Sequence, residues 1–183
     1  MDAEALSRAG VAVLGLDTTT SSPPLISQVA VLYLDGGMIS AGPFAYWVAP
    51  DAPMFEVRPE SWSEVRLARP WPQVAEQVQL ALCDRVLVTH DASSLDVLRS
   101  HLPDWEPAGV AHTRDLAERA WPGLADYSLG AASARAGING VARVGQSAVV
   151  EAHAVAFLLT VLIRRARRPS GRPDAAEDLR DMP

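Results

Sequence analysis

The chain has 183 residues, 49% of them apolar and 21% charged; these proportions suit one globular domain and exclude a fibrous or wholly disordered protein. The formal net charge is −6, so no overall basic field advertises nucleic acid. The single cysteine, Cys83, excludes an internal disulfide and a Cys-rich zinc site.

All 16 cations are Arg, and none is Lys. The start, MDAEALSRAG, is acidic where a signal peptide would be basic and then apolar. It is expected to be an extension over 1–10. Residues 11–16 form an apolar, β-rich run that ends at Asp17, and a polar loop covers 18–24. A second strand is predicted over 26–34, and Asp35-Gly36-Gly37 is a hairpin turn. A third strand follows over 38–48, with Phe44, Tyr46 and Val48 at period two. Residues 49–72 are rich in Pro and show no clean period, so an irregular excursion is expected. The spacing of Val74, Val78 and Leu82 predicts a helix over 72–83. A short buried strand over 86–88 comes next, then a helix over 94–102 stopped by Pro103. A weak strand over 109–113 and helices over 114–120 and 127–136 follow, with Gly137 and Gly140 as punctuation. The last helix starts near Ser147 and sets Val155, Leu158, Leu159 and Leu162 on one face.

This order predicts an α/β domain over 11–165. Its mixed five-stranded sheet would open as an antiparallel meander and continue with two strands parallel to the first, with helices on both faces. Residues 166–183 are expected to be a disordered, Arg/Pro-rich tail. From Arg164 onward six Arg stand against four acids, so the end carries +2 and residues 1–163 carry −8. The apolar run over 155–163 is too short to span a bilayer. A cytoplasmic protein without membrane contact is expected.

Side chains at strand ends leave the sheet for a crevice, and chemistry is sought there. Asp17 and position 19 point the same way on an extended chain. Two carboxylates at that spacing would hold a divalent ion, but position 19 is Thr, a weaker ligand. A second cluster, His90, Asp91 and Asp96, follows the strand over 86–88, and a third runs from Gln146 to Glu151. Plainer roles stand beside these. Asp17 can cap a turn, Glu151 complements a helix dipole, and Asp96 suits the first turn of a helix. His90 orients its turn. His153 lies about 200° around the helix from Glu151 and reads as a surface or capped residue, as His101 and His112 read as surface and strand-edge residues. Tyr46, Trp47, Trp62, Trp71, Trp105 and Trp121 are not spaced as a stacking array. The run from Arg164 to Arg168 fits a helix C-terminus, with phosphate contact as the other option.

Taken together, the segments resemble the DnaQ-like 3′→5′ exonucleases of the ribonuclease H-like superfamily, which carry an Asp-Glu-Asp-Asp-His signature. Leu14-Gly-Leu-Asp-Thr-Thr-Thr20 looks like the first motif, Asp-x-Glu-Thr-Thr-Gly. Phe44 to Pro50 looks like Phe-x-x-x-Val-x-Pro, and Val86 to Asp96 like Val-x-His-Asn-Ala-x-Phe-Asp. His112 to Ala117 and Tyr127-Ser-Leu129 match Asp-Thr-x-x-Leu-Ala and Tyr-Ser-Leu, and Gln146 to Ala152 takes the place of His-Arg-Ala-x-x-Asp-Ala.

The resemblance implies four carboxylates holding two Mg or Mn ions, with a His as general base. Asp17 matches the first carboxylate, and Thr19 stands where the second belongs. The third is Asp96 with one inserted residue, Leu95 without it; Asp91, at the family's Asn, is a further candidate. Glu151 matches the fourth, and Gln146 replaces the base; the family's alternative Tyr base would be Ser147. Metal and catalytic roles are therefore expected at Asp17, Asp96 and Glu151, and nucleic-acid contacts at Thr20, His90 and Asp91. The expected ligand is a single-stranded 3′ end or a nucleotide, with a protein partner also open. The losses at Thr19 and Gln146 imply a catalytically impaired binding or regulatory module, with an active but atypical metal-dependent exonuclease as the alternative.

Overall fold

Strand β1 (Val11–Thr18) is buried along its first six residues, so it reads as a continuous apolar run, as strands covered on both faces do. The computed structural model describes residues 1–49, 68–138 and 147–167. In it β1 is the middle of a five-stranded sheet, flanked on one side by β2 (Ile26–Asp35) and β3 (Met38–Trp47) and on the other by β4 (Val86–Thr89) and β5 (Gly109–His112). β1, β2 and β3 pair antiparallel in sequence, whereas β4 is parallel to β1 and β5 parallel to β4. The meander is set by its turn: Gly36 and Gly37 take φ +63° and +82°, the left-handed pair that a two-residue hairpin needs.

Six helices are described: α1 (Ala3–Leu6), α2 (Trp71–Leu82), α3 (Ala92–His101), α4 (Thr113–Ala120), α5 (Leu129–Arg135) and α6 (Ala148–Ala166). Strand alternation sorts them onto two faces. Val11, Val13, Ala30, Leu32 and Leu34 pack with residues of α1, α4, α5 and α6. Ala12, Leu14, Leu16, Val29 and Val31 pack with residues of α2 and α3. Each fully buried Leu or Val contributes about 1.5–3 kcal/mol. This is the expected mixed sheet between helical layers.

α6 lies so close to β1 that a side chain has no room between them. A Cβ on Gly15 would fall 2.1 Å from the Ala148 carbonyl oxygen and 2.7 Å from the Ala152 amide nitrogen. Gln28 of β2, 3% exposed, fixes the same junction. Its Oε1 accepts hydrogen bonds from the Ser147 hydroxyl (3.0 Å) and the Ala148 amide (2.9 Å) at the start of α6. These two contacts set Glu151, in the first turn of α6, beside the end of β1.

Several boundaries differ from expectation, each for a local reason. β1 runs two residues past Leu16, with a register shift between Asp17 and Thr18. α3 begins at Ala92 because the Asp91 carboxylate caps the Ser93 amide, and α5 begins at Leu129 because Ser128 caps the Ala131 amide. Within residues 1–10, α1 is capped by Asp2 and buries Ala3 and Leu6. Val48 bridges Arg69 in parallel. Trp62, Gly140, Gln146 and the tail from 168 lie outside the described residues. Among the described residues no helix is long and apolar enough to cross a membrane.

Candidate functional site

The parallel half of the sheet carries the chain from each strand end into a helix, so helix starts gather at one edge. There an open cleft of about 540 Å³ is lined by Leu16 and Thr18 of β1 and by the opening residues of four helices. Asp91 and Ser94 belong to the start of α3, Arg114 to α4, Ser128 and Leu129 to α5, and Glu151 to α6. Helix starts present unpaired N–H groups and the positive end of the dipole, which favour anionic groups.

Glu151 is the most perturbed acid. Burial pushes its carboxyl up from 4.5 to about 7, and the charges of Asp91 and Asp17 add to the rise. Hydrogen bonds from the Leu16 amide and the Ser94 hydroxyl oppose it without cancelling it. The side chain is half-buried, and near neutrality it is a mixture of acid and carboxylate. Asp17, at the bulge of β1, is close enough to act on Glu151 through its charge.

Asp91 is occupied as a helix cap: it accepts from the Ser93 amide (3.0 Å) and hydroxyl (2.5 Å). Burial raises its carboxyl, but those hydrogen bonds, with His90 and Arg114 nearby, outweigh it and leave the pKa below the usual range. Asp126 is held in the same way, by the Ser128 hydroxyl (2.6 Å) and amide (2.8 Å), which lower its pKa.

His90 is buried, with both ring nitrogens engaged. The Tyr127 carbonyl can only accept, so His90 Nε2 donates to it (3.0 Å), and in the neutral ring Nδ1 accepts from the Thr113 hydroxyl (3.0 Å). Burial holds the ring below the usual His range. His90 thus ties the end of β4 to the start of α4 and to the loop carrying Asp126. Thr89 adds a parallel tie: it donates to the Asp91 carbonyl (2.6 Å) and accepts from His112 Nδ1 (2.9 Å).

The remaining expected residues fall elsewhere. Asp96 is exposed on α3 and does not line the cleft, while its neighbour Leu95 is buried in the core. The Thr19 hydroxyl closes the loop after β1, bonded to Ser21 Oγ (2.5 Å) and to the Leu25 amide (3.0 Å). Thr20 is exposed beyond it. His153 donates to the Val149 carbonyl within its own helix (2.8 Å).

Sequence reasoning passed over Ser94, Arg114, Asp126 and Gln28. Asp126-Tyr-Ser128 before a helix is an Asx–cap pattern that could have been noticed. Gln28 gave no signal, because its partner lies 120 positions away.

A Mg or Mn pair needs several converging carboxylates. Among the described residues no three His, Cys, Asp or Glu side chains come together to hold a metal ion. Asp17 and Glu151 are neighbours, Asp96 is not with them, and Glu151 retains its proton to about 7. This donor set does not fit a two-metal centre.

The architecture is similar to that of E. coli exonuclease I in complex with a dT13 oligonucleotide (TM-score 0.67, 14% identity, covering 86% of this chain and 41% of that one). It is also similar to exonuclease I in a complex with SSB-Ct (TM-score 0.65, 14% identity, 86% and 42%). A third likeness is to a 3′-exonuclease in 3′-end-specific recognition of histone mRNA stem-loop (TM-score 0.65, 13% identity, 90% and 66%). The chain spans about two fifths of the length of these exonuclease I structures. No protein-family model and no curated protein matches it. At such identity the likeness is one of fold: the chain has the ribonuclease H-like architecture of these exonucleases.

Proposed function

We propose that this protein is an exonuclease-fold module that binds a single-stranded 3′ end, or a nucleotide, in the cleft and has little or no power to hydrolyse it. The observation that carries this reading is the state of the cleft carboxylates. Asp91 caps α3, Asp126 is hydrogen-bonded to Ser128, the N-cap of α5, and Glu151 is half-buried and partly protonated near neutrality. Asp91 and Asp126 are ionised but committed to hydrogen bonds, and Glu151 keeps part of its proton, so the three do not make a free ligand set.

Binding has better support. Arg114 and four helix starts favour phosphate oxygens. Leu16, Pro24, Val97 and Leu129 give an apolar wall for a base or sugar. The substitution of Gln146 for a His base removes general-base catalysis, which contributes about 10²–10⁴ in rate. Asp17 beside Glu151 is the one arrangement that favours a residual, atypical exonuclease.

The test is incubation of a 5′-labelled oligonucleotide with the protein in excess Mg²⁺ or Mn²⁺. The expected result is binding without shortening. Stepwise loss from the 3′ end that disappears in Asp17→Ala would overturn the proposal. The double substitution Thr19→Glu with Gln146→His is expected to raise cleavage above the parent.

A further inference from the structure

Three of the four helices that start at the cleft, α4, α5 and α6, end together on the far side, and their last turns carry Arg. Arg119 is in the last turn of α4, Arg135 in that of α5, and Arg164 and Arg165 in that of α6, with Arg167 as its C-cap. Trp121, the C-cap of α4, is the common neighbour. The Arg135 guanidinium lies 5.9 Å from its ring centroid and that of Arg165 6.0 Å. Arg167 is held by a hydrogen bond to the Ser7 carbonyl (3.3 Å).

One Arg per helix end would complement the dipole. Here three helix ends meet, and two guanidiniums share one indole, so the cations gather on one face. Acids are plentiful, since residues 1–163 carry −8. Yet the ion pairs among the described residues join Arg8 to Glu4, Arg85 to Asp35, Arg99 to Glu106 and Arg114 to Glu118. None engages Arg119, Arg135, Arg164 or Arg167. Arg119, Arg135, Arg164 and Arg167 are exposed, on a chain whose net charge is −6.

We infer that the face built from the C-terminal turns of α4, α5 and α6 around Trp121 binds the phosphodiester backbone of a nucleic acid, at the opposite end of these helices from the cleft. Guanidinium groups match phosphate bidentately and are always charged. The face lacks what other anionic partners would need. The exposed large apolar residues among those described are Met1, Met38, Ile39, Phe44, Leu80, Val150 and Phe157. None lies in these last turns to enter a membrane or to form the apolar centre of a protein interface. α6 has 19 residues, so the face is about 28 Å from the start of that helix. The inference stands apart from the cleft reading, because backbone contact needs neither a 3′ end nor a single strand.

Fluorescence anisotropy of the full chain with a labelled 30-base-pair duplex and with labelled dT30, titrated over a range of salt, tests it. Duplex binding isolates this face from the cleft. The wild type is expected to bind both at low salt. The triple variant Arg119→Gln/Arg135→Gln/Arg164→Gln should weaken binding on the order of tenfold or more and reduce the slope of log K against log salt by about two. If its circular dichroism shows a lost fold, Arg164→Glu alone carries the test, with weaker binding expected. No duplex binding by the wild type, or unchanged affinity and slope in a folded variant, would overturn the inference. Sedimentation with phosphatidylserine-containing vesicles but no affinity for either oligonucleotide would overturn it too.

Discussion

Replacing Glu151 by Gln keeps the shape and the acceptor for the Leu16 amide and Ser94 hydroxyl, and removes the group that titrates. In the unfolded chain this carboxyl ionises near 4.5; in the fold burial holds its proton to about 7. Between those values the folded protein binds a proton that the unfolded chain has released, so stability falls as pH rises through the window. Each pH unit is worth 1.36 kcal/mol, which makes the full loss at most about 3 kcal/mol, reduced by the water that reaches a half-buried side chain. At pH 8 Glu151→Gln should therefore stabilise the protein by up to about 3 kcal/mol, a rise in Tm of roughly 6–12 °C for a domain of this size. At pH 5, where both states are largely protonated, the gain should nearly vanish. Differential scanning calorimetry of both proteins at the two pH values measures the difference. A variant no more stabilised at pH 8 than at pH 5 would refute the claim that burial holds this carboxyl near neutrality.

Gly15→Ala should be among the most damaging single changes, because its methyl group meets the backbone of α6 rather than a side chain that can turn aside. A loss above about 4 kcal/mol in urea denaturation is expected, and a loss under 1 would show that β1 and α6 are less tightly apposed. Gln28→Ala leaves the Ser147 hydroxyl and the Ala148 amide without their acceptor. It should cost about 1–3 kcal/mol in the same assay, whereas an unchanged midpoint would mean that water serves the cap as well. Ser133→Ala removes a buried hydroxyl that has no partner among the described residues. It should leave stability within about 0.5 kcal/mol or raise it, and a clear loss would reveal a partner for that hydroxyl.

The strands were legible because their signals are local. Two glycines between apolar runs set the hairpin, and unbroken apolar segments such as Val86-Leu-Val88 are what a doubly covered strand requires. α6 showed itself through its buried stripe of Val155, Leu158, Leu159 and Leu162. The site was harder to read, for a physical reason. A carboxylate in a helix-start sequence can serve as a cap or as a ligand, and residue type does not separate the two. Asp91 is a cap. Asp96 follows the rotation of its helix: with Leu95 turned into the core, its successor faces water. Glu151 lines the cleft, but its altered proton affinity comes from burial between distant elements and cannot be read from neighbours in sequence.

The seating of Ala148 and Ala152 against Gly15 has a bearing on how the chain matures during synthesis. Those positions are more than a hundred residues apart, and the helix that covers β1 and β2 leaves the ribosome long after they do. Until it arrives, Val11, Val13, Ala30, Leu32 and Leu34 lack the α6 part of their cover, and the nascent sheet exposes a sticky flank. Stalling translation before residue 148 should therefore yield a species that chaperones bind avidly, and release should come only with the closing helix.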